Sequence, residues 1–108
     1  MNNTVMYELE GQIFEWNIVK YERNVEKHGI TFEEAATVLI RTDTDIVEDD
    51  ENSIEEERFV ALGFSEESRM LIVCYCERSD GDIVRIFSAR KATKHEQNSY
   101  KGGLYDER

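Results

Sequence analysis

The sequence predicts an α+β fold, and three observations carry the prediction. Apolar residues recur at helical spacing in two consecutive segments, Ile18, Tyr21 and Val25, then Phe32, Ala35, Ala36 and Leu39. The middle of the chain holds apolar runs of strand length joined by short links, which favours an antiparallel meander. A capping signature at Thr93-Lys94-His95-Glu96 then opens a last helix, so helices sit at both ends of a strand-rich centre.

The elements follow in order. Ile13 to Trp16 reads as a short strand, and Asn17 is a good N-cap. Helix one runs from about Ile18 to His28, with Gly29 as its stop. Thr31-Phe32-Glu33-Glu34 has the capping-box pattern for helix two. The very short turn between the two predicts a helical hairpin. Strands are expected at Asp45 to Glu48, Arg58 to Phe64, Met70 to Arg78 and Ile83 to Arg90, about four in the meander. Asp80-Gly81 marks a tight turn between the last two, and the final helix reaches about Tyr100.

Strand register yields a functional inference. If Ser79 pairs with Asp82 across the Asp80-Gly81 turn, Cys76 faces Arg85. If Phe64 pairs with Met70, Arg58 faces Cys76. Arg58, Cys76 and Arg85 then form one cross-strand row on one face, and two guanidinium groups flanking a small residue invite an anion. A shift of one residue in the Phe64–Met70 link would flip the face.

The bulk numbers fit one domain: 108 residues, taken as a single unit with a core at about 13–101 and flexible ends from Gly102-Gly103 onward. No apolar run approaches the ~20 residues of a membrane helix. The start shows neither a basic nor an apolar leader region. Cys74 and Cys76 share a strand face and lack the further ligands of a metal site, so they read as reduced, buried thiols of a cytoplasmic protein. The formal net charge is −11, which by itself opposes binding to nucleic acid. Its distribution is uneven. Seven acids crowd Glu48 to Glu57, a solvated loop or a docking surface for a basic partner. Arg85, Arg90, Lys91, Lys94 and Lys101 reverse the sign between positions 85 and 101.

Several blocks resemble the BrnT family of toxins: Phe14-Glu15-Trp16 with Asn24, Lys27-His28-Gly29-Ile30-Thr31-Phe32-Glu33-Glu34-Ala35, Glu57-Arg58-Phe59 with Leu62-Gly63, Leu71 to Arg78, and Arg85 to Thr93 with Glu96. The similarity runs from about Phe14 to Tyr100. The resemblance implies a fold like that of RelE-type ribonucleases and an RNA-cleaving toxin that arrests growth. It also implies a BrnA-like antitoxin with a ribbon-helix-helix DNA-binding domain, so that DNA is reached only through the antitoxin. A complex of two toxins and two antitoxins follows by analogy with ribbon-helix-helix dimers. The sequence departs from the pattern in three places. Asn17-Ile18 replaces an Asp-Pro, Arg41-Thr42 replaces a second, and Asn52-Ser53 replaces a His-Ser pair.

RNA cleavage without a metal or other cofactor needs a base for the 2′-OH, an acid for the leaving 5′-oxygen and cations for the transition state. Arg58 and Arg85 are the first choice for the cations, because a guanidinium fork grips phosphate in two places. Arg78 and Arg90 come second, and with Lys91 and Lys94 they are candidates for RNA contacts. Each arginine has a simpler alternative as a surface ion pair. His28 is a candidate acid or base, since histidine ordinarily titrates near neutral pH, or else a helix C-terminal cation. His95 reads as surface. Glu57 and Glu77 are candidate bases, although the assumed register puts both on the face opposite Arg58 and Arg85. An alternative to the endoribonuclease is an interaction module without catalysis that only completes an antitoxin complex. A non-cleaving nucleic-acid regulator would need a basic partner to supply affinity.

Overall fold

Two strands precede the first helix. The computed structural model describes residues 2–104 and places β1 at Thr4–Leu9 and β2 at Gln12–Asn17. There follow α1 (Ile18–His28), α2 (Phe32–Leu39), β3 (Asp45–Glu48), a 3-10 turn at Asp50–Asn52, β4 (Arg58–Phe64), β5 (Met70–Arg78), β6 (Ile83–Lys91) and α3 (Lys94–Asn98). No helix among the described residues is long and apolar enough to cross a membrane. In the tail, the Lys101 and Gly103 amides donate to the Asp45 carboxylate, both at 2.6 Å; Tyr105 to Arg108, also expected to be loose, lie outside the described residues.

The strands form one six-stranded sheet in the order β1-β2-β6-β5-β4-β3. The expected four-strand antiparallel meander is present as β3-β4-β5-β6. The sheet as a whole is larger and mixed. A β1–β2 hairpin joins it through a parallel pairing of Ile13, Phe14 and Glu15 with Ile83, Val84 and Arg85. β1 escaped the sequence reading because its turn is Glu10-Gly11 rather than Asn-Gly or Asp-Gly. Both turn residues nonetheless adopt positive φ (50° and 87°), as a two-residue hairpin demands. The parallel pairing joins residues about 70 positions apart and leaves no local signal.

Helix α1 follows its expected bounds. The Asn17 carboxamide accepts from the Val19 and Lys20 amides at 2.9 and 3.1 Å, and Gly29 closes the helix in the left-handed region (φ 71°). The box expected at α2 is only half formed. The Thr31 hydroxyl accepts from the Glu34 amide, but the Glu34 side chain turns to the β4–β5 link. There it receives two bonds from Arg69 (2.7 and 2.9 Å) and one from the Ser65 hydroxyl (2.7 Å). A buried carboxylate gains more from a guanidinium fork than from a single amide.

The helices pack on the sheet more than on each other, so the expected hairpin is splayed. α1 lies along β6, while α2 spreads over β4, β5 and β6. The core sits between α2 and one sheet face. Phe14, Trp16, Phe32, Leu71, Val73 and Ile86 are almost fully buried there. Trp16 stacks on Tyr21 (5.6 Å, 10°) and meets Phe32 edge-on (5.7 Å, 80°), which fixes the entry to both helices. On the same helix-covered face, a Cβ at Gly63 would lie 2.7 Å from the Thr44 hydroxyl, so glycine is what lets the segment before β3 pack closely there.

Candidate active site

The register places three residues in the predicted row. Cys76 pairs with Arg58 on one side and with Arg85 on the other. The Asp80-Gly81 turn behaves as its composition demands: Asp80 takes φ 57° and ψ 34°, Gly81 takes φ 93°, and the Asp82 amide donates to the Ser79 carbonyl. Strand alternation then sends Val84 and Ile86 to the core and Arg85 to the opposite, outer face.

Two carboxylates complete the row. Glu15 pairs with Arg85 across the parallel strands, and its carboxylate accepts from Arg85 at 2.9 Å. Glu56 accepts from Arg58 at 3.0 and 3.3 Å and from Arg78 at 3.4 Å. Arg78 also approaches Glu15 at 3.7 Å, so it bridges the two acids. Three guanidinium groups thus share two carboxylates, a surplus of one positive charge among these five groups, while Glu51 and Glu55 line the depression beside Arg58. Each arginine does have an acid. The acids are shared, however, and Arg78, the most exposed of the three at 45%, makes the longest contacts.

The electrostatics of the row are set by this crowding. Burial pushes the Glu56 carboxyl upward, but bonds from Arg58 and Cys76 and the charges of Arg78 and Arg58 outweigh it and hold it below the usual range. Burial keeps the Cys76 thiol above its ordinary value, with Arg78 pulling the other way, so Cys76 stays a neutral thiol. Both cysteines are free.

A bulge decides what stands next to the row. Cys74 pairs with Ser88 and Tyr75 with Ile86, which leaves Phe87 as the extra residue of β6. The extra residue lets Ile86 and Ala89 both face the core, while Arg85 and Arg90 both face outward. The Arg58 guanidinium lies 4.0 Å over the Phe87 ring, and the Lys20 ammonium approaches it at 5.5 Å. Phe87 also borders a shallow depression of about 280 Å³ lined by Lys20, Arg23, Asn24, Lys27, His28 and Ser88. His28, in the last turn of α1, lines this depression together with Phe87.

The remaining candidates stand apart. Glu57 is exposed and meets Glu48; a side-chain hydrogen bond between the two, then their repulsion, raises the Glu48 carboxyl, and Glu56 occupies the place beside Arg58. Glu77 is exposed and pairs with Val84, on the face opposite the row, as expected. Arg90 lies on the outer face but is gripped by Glu96 through two bonds of 2.8 Å. Lys91 pairs with Leu71, and its charge bears on Glu34 on the helix-covered face. Lys94 and His95 are exposed on α3. Asn52, at the position of the histidine in the family pattern, lines a depression with Glu56 and Arg58. Among the described residues, no group of His, Cys, Asp and Glu is arranged to hold a metal ion.

Sequence reasoning missed Glu15, Glu56, Phe87 and the basic face of α1. Glu15 was within reach, because an acid between Phe14 and Trp16 in a strand must face away from the core they enter. The Lys20, Arg23 and Lys27 spacing was also readable, but its place beside β6 was not.

Comparison with known proteins agrees with this architecture. The model of the family described as "Ribonuclease toxin, BrnT, of type II toxin-antitoxin system" matches residues 16–96. The crystal structure of the Brucella abortus ribonuclease toxin, BrnT, superposes with a TM-score of 0.56 at 18% identity, covering 73% of this chain and 94% of that one. At that identity the likeness shows the fold. No curated protein matches the chain. Because the family match spans well over half of the sequence, the chain belongs to the BrnT family of ribonuclease toxins of type II toxin–antitoxin systems.

Proposed function

We propose that the outer-face row is where this toxin cleaves RNA, in the manner of a RelE-type endoribonuclease. The observation that carries this reading is the sharing of two carboxylates among Arg58, Arg78 and Arg85. The surplus positive charge receives the scissile phosphate, and the planar forks stabilise the extra negative charge that develops on its oxygens. The carboxylates hold the guanidinium groups in place beforehand, so little reorganisation is needed. Glu56, held as a carboxylate beside Arg58, takes the 2′-OH proton. The 2′-oxygen then bonds to phosphorus, the bond from phosphorus to the 5′-oxygen breaks, and His28 protonates that leaving oxygen. The products are a 2′,3′-cyclic phosphate and a 5′-hydroxyl. No metal or cofactor enters these steps, because the guanidinium groups supply the charge.

In this reading the toxin acts in the cytoplasm and arrests growth. A BrnA-like ribbon-helix-helix antitoxin covers the row, its basic segments meeting the acidic surface, in a complex of two toxins and two antitoxins that reaches DNA through the antitoxin. Purified protein should degrade RNA equally with and without a chelator. The activity should fall at least ~100-fold in Arg85→Ala, the scale of losing one transition-state charge contact. RNA left intact by the wild-type protein would sink the proposal. A second reading is favoured by the fact that each arginine already has an acid: an inactive module that only completes an antitoxin complex. It predicts no cleavage and undiminished antitoxin binding.

A further inference from the structure

The basic face of α1 is not explained by the cleavage row. Lys20, Arg23, Lys27 and His28 recur at i, i+3, i+7 and i+8, so they share one face of the helix, with Asn24 between them directed at β6. The acids of α1, Glu22 and Glu26, fall on the other side. Among the described residues, Arg41, Arg58, Arg69, Arg78, Arg85 and Arg90 each have a carboxylate within 4 Å, whereas Arg23 has none; the described lysines have none either, and two of them, Lys20 and Lys27, share the helix face of Arg23. Arg23 is thus the one described arginine without an acid, in a chain where acids outnumber bases by eleven. The helix dipole favours cations in the last turn, which covers Lys27 and His28 but not Lys20 or Arg23. Nor does the face hold the helix to the sheet; Asn24 does that, through Ala89.

Phe87 joins this face to the row. The β6 bulge puts its ring on the outer surface, half-buried, with the Arg58 guanidinium over it at 4.0 Å and the Lys20 ammonium over it at 5.5 Å. A partly exposed aromatic ring with cations over it is an arrangement that binds single-stranded nucleic acid: a base displaces one cation to stack on the ring, and the cations follow the backbone. From Lys20 to Lys27 the helix rises ~10 Å. That spans about three phosphates at the ~3.4 Å per-strand spacing of stacked nucleotides.

We infer that the face formed by Lys20, Arg23, Lys27 and Phe87 is a subsite for the single-stranded RNA flanking the scissile phosphate, with one base stacked on Phe87 and the next phosphates on α1. The inference rests on the reading of the arginine row as the cleavage site. It is tested by binding alone, so that its failure is distinct from a failure to cleave. The probe is a fluorescent 12-nucleotide 2′-O-methyl RNA, which lacks the attacking hydroxyl, titrated with the full chain across a salt series.

The triple variant K20A/R23A/K27A should weaken binding at least tenfold. It should also flatten the slope of log Kd against log salt by about 2, since each phosphate contact on a single strand contributes ~0.7. Phe87→Leu should weaken binding about fivefold or more, and Phe87→Trp should retain it. Arg23→Glu should weaken binding far more than Arg41→Glu, which makes the same charge change where Arg41 lines a different depression. Equal losses in Arg23→Glu and Arg41→Glu would mean that only net charge matters and would overturn the inference. So would wild-type RNA binding by the triple variant, including the case in which that variant loses an acidic protein partner instead.

Discussion

The Asn24 carboxamide of α1 pairs with the backbone of Ala89 in β6 from both ends. Its Nδ2 donates to the Ala89 carbonyl at 2.8 Å, and its Oδ1 accepts from the Ala89 amide at 3.1 Å. The same Nδ2 also donates to the Ile30 carbonyl at 2.9 Å. β2 pairs with β6 only as far as Arg85. Beyond that point a helical side chain takes the place of a strand and satisfies the open edge, which would otherwise leave buried polar groups unmet. This pairing sets the position of α1, and with it that of Lys20, Arg23, Lys27 and His28.

Asn24→Ala should therefore destabilise the fold by about 2–4 kcal/mol, because it strands a buried amide and two carbonyls. Asn24→Asp should cost at least as much, since a carboxylate would face two carbonyl oxygens. Urea denaturation of both variants checks this. Stability within about 0.5 kcal/mol of wild type would show that water or another group replaces the amide.

Glu15 and Glu56 should separate when each is made neutral. Glu15 is 12% exposed and holds Arg85, itself 18% exposed. Glu15→Gln should cost about 1–3 kcal/mol of stability, yet tighten RNA binding by enlarging the positive surplus of the row. Glu56 is 34% exposed, so Glu56→Gln should change stability by less than about 1 kcal/mol. Loss of the proposed base should lower kcat by ~100-fold or more with binding retained. Denaturation, anisotropy and single-turnover cleavage read the three quantities. A Glu56→Gln enzyme with full kcat would move the base elsewhere.

How much of this was legible in the chain depended on sequence separation. The Arg58–Cys76–Arg85 row needed only two turns: Asp80-Gly81, whose composition marks it, and the five-residue link between Phe64 and Met70, which could have shifted by one but keeps the assumed register. The helix caps were equally local. The parallel β2–β6 contact and the seat of α1 against β6 depend on packing between segments about 65–70 residues apart, and the bulge at Phe87, though it lies in a local hairpin, has no turn residue to announce it. Asn24 could be seen as part of a motif, but its task appears only once Ala89 is beside it. Glu56 rather than Glu57 enters the site because the turn before β4, anchored by the Ser53 hydroxyl on the Arg58 amide (2.9 Å), carries Glu56 back to Arg58.

Glu96 makes stability depend on pH at the acid end. Two bonds from Arg90, then the Thr93 amide, hold its carboxyl at about 2, against an ordinary value of 4.5. A depressed folded value means that the unfolded chain takes up the proton first. The stabilisation is therefore complete above about pH 4.5 and fades as pH falls toward 2. Glu96 is 29% exposed, and solvent screening reduces its contribution to about 1–2 kcal/mol. Glu96→Gln should be less stable than wild type at neutral pH, with the gap closing by about pH 2. A gap constant over that range would show that the capping bonds, not the charge, do the stabilising.

Asn52 offers a gain-of-function test. It stands where the family pattern carries histidine, and it lines the depression shared by Glu56 and Arg58. Its side chain makes a single bond, to the Asp49 carboxylate at 2.9 Å, and is exposed, so Asn52→His should change stability by no more than about 0.5 kcal/mol. An imidazole there would sit beside the proposed base and the phosphate-binding arginines, able to exchange a proton near neutral pH where Asn52 cannot. The variant should cleave RNA about tenfold faster than wild type and gain a limb near pH 6–7 in its rate profile. Unchanged kcat and an unchanged profile would mean that the depression around Asn52 plays no part in proton transfer, leaving that work to Glu56 and His28 alone.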